Sequence, residues 1–237
     1  MAQSTIARRP RRRTPDRMAD QAHAGLMRKL LGGQIKPGTR LSERALAQQF
    51  GVGRAAVRSA IQSLSWLGLI EGRPRSGTYL RELDAREVDE IIECRAALEA
   101  MAAHLVCQRI TRRELAAMRR LAVEVDRVNA EKRDVERSLR LDHRFHENLI
   151  AASGNRRLSF LAVSDSLLRL TFRESFAFPF FMDKRCDPAL SHERIVAALA
   201  AGDPVKAADI VRRHVCSAKA RIAALWEMQY GRTRASG

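Results

Sequence analysis

The most constraining feature of the chain is the stretch of residues 41–69, which predicts two short helices joined by a tight turn. Ser42 is placed to cap the first helix and Gly51 to end it, because glycine adopts a left-handed backbone at little cost. The second helix is expected over residues 54–67, with Arg54 and Arg58 one turn apart on its polar side. Its opposite face carries apolar residues at helical spacing, namely Val57, Ile61, Leu64 and Leu67. A helix with an apolar back and a basic front suits the major groove of DNA.

The residues that follow predict a small hairpin. Residues 69–70 and 78–80 have the composition of two short strands, and the segment EGRPRSG between them favours a turn. Helix, turn, helix and hairpin together predict a winged helix-turn-helix domain. The wing would carry Arg73 and Arg75 to DNA phosphates or into the minor groove.

At these residues the chain resembles the GntR family of bacterial transcription regulators. The resemblance covers residues 17–83 and implies that Arg44, Arg54 and Arg58 contact DNA. It is carried by the lead-in Leu31, Gly33, Ile35, Pro37, Gly38 and Leu41, by the core SERALAQQFGVGRAAVRSAIQSL, and by the wing glycine, Gly77.

Four residues depart from the family pattern. Gly53, Ala55-Ala56 and Ser59 stand where the family usually has a small polar residue, a Thr-Pro pair and a glutamate. The usual hydroxyl contacts to phosphate are therefore missing. DNA binding is expected to depend more on the arginines and the wing.

The positive charge of the chain is concentrated in this half. The 237 residues have a net charge of +16, and residues 1–83 alone contain 16 Lys or Arg against 5 Asp or Glu. Such a charge favours partners that carry phosphate, or anionic membranes, and its place on the winged domain favours DNA. A generally basic protein from an arginine-rich proteome is the alternative, but it does not account for the uneven distribution.

The four cysteines have no zinc-finger or CxxC spacing and indicate reduced thiols; they are Cys94, Cys107, Cys186 and Cys216. No apolar run is long enough to span a membrane, and the basic N-terminus lacks the apolar core of a signal peptide. The expected localisation is therefore cytoplasmic.

Composition and periodicity divide the chain into four parts. Residues 1–15 hold five arginines and predict a disordered basic arm, which either follows DNA or adds only non-specific affinity. Residues 16–83 form the winged domain, and residues 84–230 a helical domain for effector binding and dimerisation. A polar tail occupies residues 231–237. Helices are expected over residues 87–109, 111–129, 134–153, 155–175, 187–202 and 203–228, so the predicted fold is mainly α, with an all-α six-helix bundle after the winged domain.

Candidate metal ligands lie in the helical half. Asp142 and His146 are four residues apart and so share one face of a predicted helix, while His192 and His214 lie in two later helices. One carboxylate and three imidazoles suit a first-row divalent ion such as zinc, nickel or manganese. From spacing alone, a structural hydrogen-bond network is the more common explanation, so the residue pattern leaves both possibilities open.

The helical half also resembles the FCD ligand-binding domain of FadR-type GntR regulators over residues 84–228. The resemblance is carried by R-x-x-L-E from Arg95, by D-x-x-x-H-x-x-L-x-x-x-S-G-N from Asp142, by H-x-x-I-x-x-A-L-x-x-G-D from His192, and by His214. It implies that Asp142, His146, His192 and His214 hold a divalent metal ion, with zinc as the first choice. Six helices are similar to the VanR-like branch of that family.

The same resemblance implies a small carboxylate effector bound beside the ion. Arg95 occupies the place of the family's inward arginine, and a bidentate contact between arginine and carboxylate is strong and directional. Asn155 and Arg169 are the other candidates for the effector site. Their alternative roles are a helix boundary for Asn155 and a solvated helix face for Arg169.

These observations predict a ligand-responsive, sequence-specific transcriptional regulator and not an enzyme. The simplest form is a homodimeric repressor that a small organic acid releases from double-stranded operator DNA. A metal-dependent helical hydrolase with an accessory DNA-binding domain is one alternative, but no general base, phosphate loop or nucleophile elbow is apparent. A non-specific architectural DNA protein is another, and it explains the charge but not the polar quartet.

Overall fold

A computed structural model of the protein describes residues 15–131, 134–162 and 188–230. The chain divides into two compact units between Glu82 and Leu83. The first unit has three helices and a small sheet, and the second is helical, which confirms the predicted mainly α fold class. The predicted arm before Pro15, the residue that begins the first helix, and the predicted tail lie outside the described residues.

Three helices build the first unit: α1 (Pro15–Leu31), α2 (Glu43–Phe50) and α3 (Arg54–Trp66). α1 packs mainly on α3, because both helices present apolar faces, and the side chains buried there include Leu26, Leu30, Val57 and Leu64. The hydroxyl of Ser42 accepts a hydrogen bond from the Ala45 amide at 3.3 Å, and Gly51 has a φ of +63°. Both predicted ends of α2 are therefore confirmed.

A three-stranded antiparallel sheet completes the first unit. Its strands are β1 (Arg40–Leu41), β2 (Ile70–Arg73) and β3 (Gly77–Leu80), arranged in the order β1-β3-β2. The β2–β3 hairpin is the predicted wing, with Ile70 opposite Leu80. β1 has no counterpart in the sequence prediction, because a two-residue strand is too short to show periodicity. Leu41 instead pairs with Thr78 and buries its side chain.

The described part of the second unit contains five complete helices, which are α4 (Ala85–Arg109), α5 (Arg112–Glu131), α6 (Val135–Ala152), α7 (His192–Ala201) and α8 (Pro204–Tyr230). Residues 156–162 are also helical and belong to the helix predicted over residues 155–175, whose remainder lies with residues 163–187 outside the described part. α4 packs along α8, and α5 packs on α6 and α7. Buried side chains such as Phe145, Leu149 and Ile195 fill the space between these helices. Among the described residues, no helix has both the length and the apolar character needed to cross a membrane.

Two helices of this unit begin elsewhere than predicted. α4 begins at Ala85, two residues before the predicted start at residue 87, because Asp84 and Glu87 form a reciprocal capping box. The fifth helix of this unit was predicted to begin at residue 187, but Pro188–Leu190 forms a short 3-10 turn. Ser191 is the cap instead, since its hydroxyl accepts a hydrogen bond from the Arg194 amide at 3.3 Å. His192 thereby becomes the first residue of α7.

Candidate metal centre and DNA-facing surface

Four side chains from three helices of the second unit converge. Asp142 and His146 lie one turn apart on α6, His192 begins α7, and His214 lies within α8. One ligand atom of each residue lies within 4.8 Å of those of the other three. The structure thus brings together all four residues predicted as metal ligands.

Two of the histidines are oriented through their Nδ1 atoms. Nδ1 of His192 lies 2.7 Å from Oδ1 of Asp126, and Nδ1 of His214 lies 2.5 Å from the carbonyl oxygen of Leu190. A hydrogen bond from Nδ1–H to such an acceptor selects the tautomer in which Nε2 has a free lone pair. Nε2 is then the nitrogen offered to the cluster.

The third histidine, His146, is almost fully buried. Its Nδ1 lies 2.5 Å from Oε2 of Glu99, in a close polar contact rather than a well-aligned hydrogen bond. Glu99 in turn accepts a hydrogen bond of 2.5 Å from Nε of Arg95. Nε2 of His146 has no hydrogen bond among the described residues, and Oδ1 of Asp142 is 3.6 Å away. A buried ring nitrogen without a partner is costly, and a bound cation would satisfy it.

The donor set and its surroundings fit a divalent ion. Three imidazole nitrogens and one carboxylate oxygen are the ligand types that zinc and other first-row ions prefer. The ring of Phe145 packs edge-on against His192, with 4.8 Å between centroids, and Phe145 is fully buried. This packing restricts the movement of the His192 ring.

The pKa values of the cluster residues are shifted in different directions. Burial lowers the pKa of His192, but hydrogen bonds to Asp126 and Asp142 outweigh this effect and raise the pKa to about 9. Burial lowers the pKa of His214 to about 3, and the imidazoles of His192 and His146 act in the same direction. Burial alone would raise the pKa of Asp142, but the same two imidazoles hold it well below the usual value. Since metal ligands must be deprotonated, His192 has to lose its proton before it can coordinate an ion.

Sequence reasoning missed the role of Asp126. Its Oδ1 also accepts a hydrogen bond from the backbone amide of His192 at 3.2 Å, and its Oδ2 accepts one from the Glu193 amide at 3.0 Å. Asp126 therefore holds both the ring of His192 and the first turn of α7. No local signal could reveal this contact, because 66 residues separate the two side chains. Glu99 is visible in the sequence only within the R-x-x-L-E pattern, which assigns it no role.

The predicted effector residues fall in different places. Arg95 is next to the cluster through Glu99, and its buried Nη2 has no hydrogen bond among the described residues. Oδ1 of Asn155 accepts hydrogen bonds from the amides of Arg157 and Leu158, each 3.1 Å long, so its side chain caps the helical residues 156–162. Arg169 lies outside the described residues.

In the first unit, α3 exposes the two arginines of the predicted recognition helix. Nε and Nη2 of Arg58 each donate a hydrogen bond of 3.0 Å to the carboxylate of Glu43 on α2. Nη2 of Arg54 lies 3.6 Å from the same carboxylate. Arg44, the third predicted DNA contact, is exposed on α2. Glu43 was not foreseen as a partner of these arginines.

The wing residues that were predicted to contact DNA differ in their surroundings. Nε of Arg73 donates a hydrogen bond of 2.7 Å to Glu71, and its guanidinium lies 4.4 Å from the centre of the Tyr79 ring. Arg75 is exposed at the turn and has a φ of +59°. Gly77 begins β3 with a φ of +122°, a conformation that favours glycine.

Two stretches of the chain match known families. Residues 18–80 match "Bacterial regulatory proteins, gntR family", and residues 90–216 match the FCD domain. The first match spans α1 to the wing, and the second includes all four residues of the cluster.

Individual relatives agree with these matches. The HTH-type transcriptional regulator LutR of Bacillus subtilis is 32% identical over 77% of this chain and 91% of LutR. The "Probable D-xylose utilization operon transcriptional repressor" of Paenarthrobacter nicotinovorans is 29% identical over 87% of this chain and 89% of that protein. The HTH-type transcriptional regulator YdhC of Bacillus subtilis is 33% identical over 60% of this chain, and the match spans only 63% of YdhC.

Solved structures share the fold. The crystal structure of a GntR transcriptional regulator from Rhodococcus sp. RHA1 has a TM-score of 0.71, at 22% identity, and the match covers 87% of this chain and 97% of that chain. The likeness at this identity concerns the fold alone.

Proposed function

Because the chain belongs to the GntR family of bacterial regulatory proteins and carries an FCD domain, we propose that it is a ligand-responsive transcriptional regulator. It binds double-stranded operator DNA through the winged unit and a small organic acid through the helical unit. The favoured direction is repression, since two relatives are named as repressors, the Paenarthrobacter nicotinovorans protein and RspR of Escherichia coli. The proposed place of action is the cytoplasm.

The observation that carries the ligand-responsive part is the buried cluster of Asp142, His146, His192 and His214. These four side chains would hold one divalent ion, with zinc as the first choice and nickel or manganese as alternatives. When bound, the ion supplies a Lewis-acidic position for a carboxylate oxygen. The unsatisfied Nε2 of His146 supports an ion over a purely structural hydrogen-bond network.

Arg95 supports a carboxylate as the effector. Its Nε is held by Glu99, while its buried Nη2 has no hydrogen bond among the described residues and can donate to an anion. Asn155 is a weaker candidate, because its side-chain oxygen already caps a helix. Arg169 stays a prediction from the resemblance.

The proposed mechanism is a shift between two states. A homodimer places two recognition helices in successive major grooves of a pseudo-palindromic operator. Arg44, Arg54 and Arg58 contact that DNA, together with the wing. The acid releases the operator only if it binds the DNA-free state more tightly than the DNA-bound state.

The two alternative functions have less support. The named relatives are transcription regulators and the first family match is to bacterial regulatory proteins, which favours regulation over a metal-dependent hydrolase. A non-specific architectural protein would have no use for the buried quartet in the helical unit.

A paired titration tests the proposal. Full-length protein loaded with zinc is bound to a fluorescent duplex that it has selected from a random-sequence library. Acetate, lactate, succinate and citrate are then added as probes. We expect at least one to lower DNA affinity by about fivefold or more, in the usual range of allosteric coupling. His214→Ala should bind the same duplex as tightly as the wild type but lose both its zinc and its response.

Three outcomes would contradict separate parts of the proposal. Equal probe affinity for free and DNA-bound protein would remove the ligand-responsive mechanism. Unchanged zinc content in His214→Ala, measured by elemental mass spectrometry, would remove the metal site. Equal affinity of the wild type for selected and scrambled duplexes would remove sequence-specific DNA binding.

A further inference from the structure

Arg40, which lies outside the wing hairpin, contacts the wing. Arg40 is on β1, whose partner β3 begins at Gly77. A Cβ atom added at Gly77 would lie 2.9 Å from Nε and 3.3 Å from Nη2 of Arg40. The guanidinium of Arg40 therefore rests against the α-carbon of the wing glycine, in the space that any other residue would fill.

Arg73, which the sequence assigned to the DNA backbone, is already engaged within the wing. Its guanidinium donates to Glu71, lies 3.7 Å from Oε2 of Glu82, and stacks over the ring of Tyr79. The hydrogen bond that Arg73 donates to Glu71 raises the pKa of Arg73, so its positive charge is stabilised by a protein carboxylate. An arginine neutralised in this way has less charge to offer a phosphate.

Arg40 and Arg75 have no such partner. Both are exposed, and neither has a carboxylate within ion-pair distance among the residues that the structure describes. Arg75 lies in the turn and has a left-handed backbone conformation. Arg40 reaches the same end of the hairpin from β1, which pairs with β3. The wing thus presents two uncompensated guanidinium groups, one from the turn and one from β1.

We infer that Arg40 and Arg75, and not Arg73, are the pair through which the wing contacts DNA phosphates. This inference rests on the proposed DNA-binding function and assigns a role to Arg40, a residue outside the wing hairpin. Gly77 has a double role in this arrangement. It accepts a φ of +122°, and its missing side chain leaves room for the guanidinium of Arg40.

Salt dependence separates a phosphate contact from an internal ion pair. Each phosphate that a protein cation neutralises contributes about 0.9 to the slope of log affinity against log salt concentration. Arg40→Gln and Arg75→Gln should each reduce that slope by about 0.9 on a scrambled duplex. The affinity deficit of each variant relative to wild type should then shrink about threefold between roughly 50 and 200 mM salt.

Arg73→Gln is the matched control, because it also removes one positive charge, from the hairpin that contains Arg75 and that Arg40 contacts. Its slope should stay within about 0.3 of the wild-type slope. Arg40→Lys keeps the charge and should retain the wild-type slope, which guards against a general effect of replacing a strand residue. Thermal melting of each variant by circular dichroism verifies that the winged unit is folded.

The outcomes distinguish this inference from the proposed function. Wild-type binding with no salt dependence would overturn both. A normal wild-type slope combined with an unchanged Arg40→Gln slope would overturn the inference alone. A decrease in slope for Arg73→Gln as large as that for Arg40→Gln would also overturn the inference, since both arginines would then contact phosphate.

Discussion

Glu43 and Arg58 are joined by two hydrogen bonds, from Nε and Nη2 of the guanidinium to the two carboxylate oxygens, each 3.0 Å long. Glu43 lies in the first turn of α2 and Arg58 in the second turn of α3, so the pair spans the helix-turn-helix. The Arg58 side chain is exposed and that of Glu43 is partly exposed, and ion pairs at the surface add little to folding stability. The pair instead fixes the orientation of the Arg58 side chain, because the two hydrogen bonds hold the plane of its guanidinium group in place.

Arg58→Ala should weaken binding to the selected duplex about 5- to 150-fold if Arg58 reads a base edge. The reason is the loss of a directional donor that another residue cannot replace. Fluorescence anisotropy on selected and scrambled duplexes measures the effect. Arg120→Ala, at an exposed arginine of α5 in the helical unit, is the control and should bind both duplexes like the wild type. An equal loss on both duplexes would reduce Arg58 to a phosphate contact.

Glu43→Gln should lower discrimination between the two duplexes without weakening DNA binding overall. Removal of a negative charge beside the phosphates should raise affinity for the scrambled duplex. Affinity for the selected duplex should rise less, because Arg58 is no longer held by two charge-assisted hydrogen bonds. We expect the ratio of the two affinities to fall about threefold or more, within the usual effect of a charged interface group.

The control for this substitution is Glu90→Gln, which removes an exposed carboxylate from α4. Its affinity ratio should equal that of the wild type. If Glu43→Gln keeps the full ratio as well, the orienting role of Glu43 is wrong.

Asp126→Asn should reduce zinc affinity about 10- to 100-fold while the protein stays folded. Asp126 does not belong to the quartet, but it accepts the hydrogen bond from Nδ1 of His192 and so directs Nε2 toward the cluster. Competition against a chromophoric chelator measures the affinity. Asp209→Asn, at a carboxylate of α8 that pairs with surface arginines, should bind zinc like the wild type. Unchanged affinity in Asp126→Asn would show that α7 packing alone orients His192.

Leu64→Ala should destabilise the winged unit by about 2–5 kcal/mol, because it leaves a cavity at a fully buried position of α3. Trp66→Ala, two residues later, removes a larger side chain that is 84% exposed and should change stability by no more than about 0.5 kcal/mol. Urea denaturation of both variants gives the comparison. A larger loss for Trp66→Ala than for Leu64→Ala would mean that Trp66 is covered in solution.

Much of the first unit could be predicted from the sequence, since its signals are local. Ser42 and Gly51 mark the two ends of α2, and the apolar spacing of Val57 and Leu64 marks the buried face of α3. β1 was missed, because a two-residue strand is defined by its partner and not by its own pattern. The sequence also predicted the wrong start for α7. Its first two backbone amides donate hydrogen bonds to Asp126, which lies on another helix.

The sequence by itself determined both ends of α2, the apolar faces of the helices, and which four residues are candidate metal ligands. Capping and periodicity act over a few residues, so a linear chain displays them directly. Only the tertiary structure decided which residues contact the candidate functional side chains: Asp126 contacts His192, Glu43 contacts Arg58, and Gly77 lies beside Arg40. Such pairs arise from the packing of separate elements, and no spacing rule along the chain encodes the distance between them.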